Sequence, residues 1–153
     1  MDSSVFECVQ WLGCIVLQIF AYGNDAAAGG IEAVVDALKQ HPSNIIVQQD
    51  GCSALWNLAP NSNDNQKAIA AAGGIEAVVA ALTQYPDNVQ QIGCNALWGF
   101  AANNDNHQKS IAAAGGIEAV VAALMEHRDN VSVQRVLSGP PLYDRIVYGI
   151  YCC

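Results

Sequence analysis

Apolar residues recur along this chain with the period of a helix, and the whole pattern then returns. Ile75, Val78, Val79 and Leu82 stand at i, i+3, i+4 and i+7, which places them on one face of a helix. Pro86 closes that run, and Asp87 or Asn88 offers a side-chain cap to the next helix. The following stretch, VQQIGCNALWGFA, puts Val89, Ile92, Ala96, Leu97 and Phe100 on a common face. A third, shorter helix is expected after NNDN, through HQKSIAAA as far as Gly115. Paired glycines then mark a sharp turn, where a positive φ or a close helix approach is needed. IIVQ at Ile45 is β-prone by composition, but its repeat equivalents are helical, and that pattern overrides local propensity.

The string AAAGGIEAVV occurs unchanged from Ala26, Ala70 and Ala112. Its Gly-Gly pairs begin at Gly29, Gly73 and Gly115, in steps of 44 and 42 residues. A second marker, Gly-Cys-x-Ala-Leu-Trp, begins at Gly51 and Gly93, again 42 apart. Periods of about 40–47 residues belong to units of two or three helices stacked into a solenoid. The expected class is therefore all-α, a right-handed α-solenoid of about three three-helix repeats over residues 1–138, with units turning at Gly29, Gly73 and Gly115. Residues 139–153 diverge, since Pro140-Pro141 forbids continuing a helix, and LYDRIVYGIYCC is expected as a tail or short capping helix. At the other end, VQWLGCIVLQIFA aligns with the third helices, so the chain is expected to open in mid-unit.

The segment VQQDGCSALWNLAPNSNDNQKAIAAAGGIEAVVAAL resembles the armadillo repeat family, in its order of third helix, loop, first helix, glycine turn and second helix. The resemblance covers about residues 8–138. HEAT repeats lack this glycine turn. In armadillo proteins the third helices line a concave groove that holds extended peptides, often through an asparagine near the helix end. That asparagine corresponds to Asn57 here; Gly99 and Ile19 occupy the place in the neighbouring units. Importin alpha also carries a tryptophan four residues before the asparagine, where this chain has Ser53 and Asn95.

Helical spacing itself places Gln49, Ser53, Trp56 and Asn57 on one side of their helix and Gln91, Asn95 and Trp98 on the equivalent side of the next. Side-chain amides there can hydrogen-bond a peptide backbone, and indoles offer stacking surface. The competing expectation for Trp56 and Trp98 is plain packing between adjacent units. His41 and His127 share one repeat position with Tyr85, which argues for decoration of a helix end rather than acid–base chemistry.

Composition narrows the partners. Over half of the 153 residues are apolar, 52%, so the chain can bury a core. A formal net charge of −8 disfavours nucleic acid and anionic membranes and favours a neutral or basic protein or peptide. The apolar run from Cys8 lacks a basic flank and is interrupted by Gln10 and Gln18, unlike a signal peptide or a membrane span. None of the six cysteines forms a Cys-x-x-Cys pair, so a reducing cytoplasmic or nuclear setting is expected, with neither metal nor cofactor. The Asn130 sequon is then idle, and the Cys152-Cys153 ending resembles a prenylation signal that no other feature supports.

No nucleophile–histidine–acid set, Walker loop or G-x-G-x-x-G motif occurs, so no enzyme is expected. The expectation is a protein-interaction scaffold. Its alternative is a self-associating or truncated repeat fragment acting through exposed ends as a homo-oligomer.

Overall fold

The computed structural model describes residues 26–59, 62–102 and 104–126. Among these residues the chain is all helical: α1 (Ala26–Gln40), α2 (Ile45–Leu58), α3 (Asn63–Ala72), α4 (Gly74–Gln84), α5 (Pro86–Ala101), α6 (Asp105–Ala113) and α7 (Gly116–Glu126). The expected opening helix, His127, the Asn130 sequon and the tail from Gly139 lie outside the described residues.

The helix starts are written in short polar side chains. Asn44, Ser62 and Asn104 take extended backbone angles, and their side-chain oxygens accept from the first free amides of α2, α3 and α6. Two glycines make the elbows: Gly73 and Gly115 both sit at φ 80°, between α3 and α4 and between α6 and α7. The next glycine of each pair is tight for a different reason. A Cβ on Gly74 would lie 2.6 Å from Ile69 Cγ2, and one on Gly116 the same distance from Ile111 Cγ2.

Gly29 does not turn. The expected elbow is replaced by continuous helix, because α1 runs from Ala26 straight through the first glycine pair. Nothing lies within 4 Å of a Cβ placed on Gly29, and the position matching Ile69 is Asp25. The sequence lacks the apolar side chain that closes the other two elbows.

The α4–α5 junction also differs from expectation. The cap position of α5 falls on Tyr85 rather than on Asp87 or Asn88; the helix starts at Pro86, and Tyr85 alone separates it from α4. The first connection spans residues 41–44. The sequence is two residues shorter in the second copy, since His41 precedes Gly51 by ten positions and Tyr85 precedes Gly93 by eight, and the early start of α5 leaves only Tyr85 between the helices. Proline has its φ pre-set for the first helical position and lacks the amide that would need a cap. Tyr85 is more than decoration: its hydroxyl donates to the Pro42 carbonyl at 2.9 Å, tying the second connection to the first.

Helices pack on their own copies one period along: α1 on α4, α4 on α7, and α2 along α5. The core is apolar and continuous through these contacts, with Val35, Leu55, Ile69, Val78, Leu82, Leu97 and Phe100 essentially inaccessible. One position shows what each new unit contributes. Val35 is 0% exposed, Val79 6% and Val121 45%. Gly74 closes over the first valine and Gly116 over the second, each with its Cβ direction 3.3 Å from the valine methyl.

Candidate peptide-binding face

Seven candidate residues lie on α2 and α5, and the inner faces of those helices explain where they point. On α2 the buried side is Val47, Gln48, Gly51, Cys52, Ala54, Leu55 and Leu58. Gly51 lets α1 approach closely, because a Cβ there would meet Leu38 Cδ2 at 2.6 Å. Gln48 is buried but satisfied, its amide donating to the carbonyls of Leu38 at 2.9 Å and His41 at 3.0 Å. On α5 the buried side is Val89, Gln90, Gly93, Cys94, Ala96, Leu97 and Phe100, with Ile92 half-buried against the core. Gln90 reaches forward instead and donates to the Ala123 carbonyl at 2.6 Å, so it anchors α5 to α7.

With those sides fixed, the remaining rows face outward. Asn57 and Gln91 are exposed, whereas Gln49, Ser53 and Asn95 are half-buried. The tryptophans divide: Trp56 is half-buried against the core, and Trp98 is 38% exposed. Because α2 packs along α5, the two rows lie on neighbouring helices. Gly99, the counterpart of Asn57, is not on this surface. It is buried with its Cβ direction 3.4 Å from the Ala59 Cβ, so the asparagine position is open on α2 and closed on α5.

The C-terminal ends of both helices are held by one side chain. Gln66 donates to the carbonyls of Ala59 and Gly99, each at 3.3 Å, and its buried Oε1 has no hydrogen-bond partner. A carboxamide spanning two helix ends satisfies carbonyls that would otherwise lack donors. It also fixes the spacing of the rows.

Asp50 is the residue that spacing arguments overlooked. It lies on α2 one turn after Ile46 and one turn before Ser53 and is half-buried. Desolvation by burial raises its carboxyl above the usual aspartate range. The available signal was its repeat position, since the residue one before Gly93 is Ile92.

Among the described residues no group of three or more His, Cys, Asp or Glu side chains is assembled to hold an ion. Cys52 and Cys94 are free and buried, and burial pushes each thiol up to about 12, so both are neutral packing groups. Among the same residues no helix is long and apolar enough to cross a membrane. No family model, curated protein or solved structure matches this chain.

Proposed function

We propose that this protein is a non-enzymatic interaction scaffold of the armadillo type, a right-handed solenoid that holds an extended peptide segment on the third-helix face of α2 and α5. The observation that carries the reading is the division of those two helices. Their equivalent inner sides are consumed by core packing, while equivalent outer rows leave amides and indoles accessible side by side. Asn57, Gln49, Ser53, Gln91 and Asn95 hold the backbone of the segment, and Trp56 and Trp98 grip its side chains. The stacking of α1 on α4 on α7 at a 42- to 44-residue step supports the solenoid. The partner is neutral to basic, in keeping with the net charge of −8, and two buried free thiols suit a reducing cytoplasmic or nuclear setting.

The test is a selection of random nonapeptides on the immobilised protein, repeated with an Asn57→Ala, Trp98→Ala variant of matched helicity. Selected peptides should lose about tenfold or more in affinity for the variant, as expected for central contacts at an interface. Equal affinity for both proteins would remove α2 and α5 from recognition.

A further inference from the structure

The stack of α1, α4 and α7 makes one contact twice and leaves its two halves open at opposite ends. One half is a row spaced by four residues, the kind of ridge by which helices interlock. It reads Ile31, Val35 and Lys39 on α1, Ile75, Val79 and Thr83 on α4, and Ile117, Val121 and Met125 on α7. On α1 and α4 the isoleucine and valine are buried, and the following unit covers them. Gly74 closes on Val35, Gly116 closes on Val79, and Lys39 Nζ donates to the Ala72 carbonyl at the end of α3 at 2.6 Å. On α7 Ile117 is only half-buried, Val121 is 45% exposed and Met125 is 61% exposed. Lysine and threonine give way to methionine in the unit that is least covered, so the open row is also the most apolar.

The other half lies on the side of the helix that meets the unit in front. Gly74 and Gly116 are buried there. Ala77, one turn on from Gly74, is buried as well, and Ala119 is half-buried against the core. The same letters stand in α1, yet Gly30 is half-buried and Ala33 is exposed. Beside them Gly29 has nothing within 4 Å of its Cβ direction. Both α4 and α7 have a preceding second helix to close on, and among the described residues α1 has none.

We infer that this chain docks on a second copy of itself, head to tail, with the Ile117, Val121 and Met125 row of one chain seated against the Gly30 and Ala33 side of α1 in the next. Continuity fixes the occupant. The string AAAGGIEAVV already closes on this row twice within the chain, and the occurrence at Ala26 is the one whose glycine side is open. In α1 the string is straight helix rather than elbow, so the seat engages the part from Gly30 onward, which is helical in all three units. A contact between two different patches of identical chains does not use itself up in one pairing. It therefore yields dimers, trimers and longer rows rather than a symmetric pair. Apolar burial drives it against the mutual repulsion of chains that each carry −8. Added salt screens that repulsion and strengthens the contact. The peptide-binding reading is not needed for this contact, which uses neither α2 nor α5.

The experiment is sedimentation velocity on the full chain over a concentration series, without peptide, at low and at high salt. Wild type should pass from monomer to a ladder of larger species, and at lower protein concentration when salt is raised. Val121→Glu and Ala33→Glu each place a carboxylate in one half of the contact, at positions already exposed in the single chain, so helicity should be retained. Met125→Lys, which restores the lysine that α1 has at this place, stands in for Val121→Glu should helicity fall. Each variant alone should associate about tenfold or more less tightly than wild type. Mixed in equal amounts, the two glutamate variants should form a species of two chains and nothing larger. The intact α7 row of Ala33→Glu then meets the intact α1 side of Val121→Glu. A dimer of Ala33→Glu alone that Val121→Glu abolishes would show α7 pairing with itself and overturn the head-to-tail assignment. Wild type that stays monomeric throughout the series, or a mixture no larger than its components, overturns it as well.

Discussion

A single repeat position carries opposite consequences in different copies of one sequence. Gly29 and Gly73 occupy the same place in AAAGGIEAVV, yet Gly73 sits at φ 80° and Gly29 lies inside α1. Alanine at Gly73 must enter a left-handed conformation that opposes its Cβ, and it meets Lys39 Nζ at 2.9 Å. Gly73→Ala should therefore destabilise the fold by about 1–2 kcal/mol. Gly29→Ala places its methyl in open space on a helix and should stabilise by about 0.5–1 kcal/mol. Urea unfolding of the two variants checks the pair, and effects of the same sign would contradict the difference in backbone. The identical letters hide this contrast, since the residue four places before the glycine pair, Ile69 in one copy and Asp25 in the other, lies outside the repeated string.

At the scale of elements, the elbows depend on the second glycine as much as the first. Gly74 touches both the methyl of Ile69 and its backbone carbonyl, the latter 2.9 Å from a notional Cβ. Backbone cannot yield as a side-chain tip can, so Gly74→Ala should cost about 1–3 kcal/mol through overpacking. Gly116→Ala strains the equivalent elbow against Ile111, with the same contact distances. Thermal unfolding of each variant against wild type gives the measurement; unchanged midpoints would mean that α3 and α4 part more easily than their contacts indicate.

Much of this level was legible in the sequence. The i, i+3, i+4, i+7 pattern placed α4, and α2 does begin at Ile45 despite its β-branched start. Hidden from it was how a two-residue shortening would be absorbed. Pro86 reads as a helix stop when followed from α4, yet it opens α5 at the first helical position. The candidate face shows the same limit. Spacing placed the seven residues on accessible or half-accessible rows, while the closure of Gly99 depends on how α2 and α5 pack together, and the half-burial of Asp50 is likewise a product of packing.

For the whole molecule, the graded exposure of Val35, Val79 and Val121 bears on the order in which the structure opens. Apart from α2 on α5, the most extensive helix contacts join near neighbours in sequence, α4 with α5, α1 with α3 and α1 with α2, and no extensive copy-on-copy contact among the described helices reaches further than one period. Each loop that folding must close is short, and its entropic cost correspondingly small. In the solenoid proposed above, such a chain should come apart in steps, like a zipper, with stability shared between neighbours. Within the described helices α7 has the least covered second-helix valine, so its amides should exchange with deuterium first and those of α4 and α5 last. Exchange read by peptide mass spectrometry should then give a spatial gradient, and uniform protection from α1 to α7 would instead indicate one all-or-none unit. In such a gradient the part-exposed Val121 marks the place among the described helices from which the zipper should open, so the least covered helix, rather than the best packed pair, would set how long they stay closed.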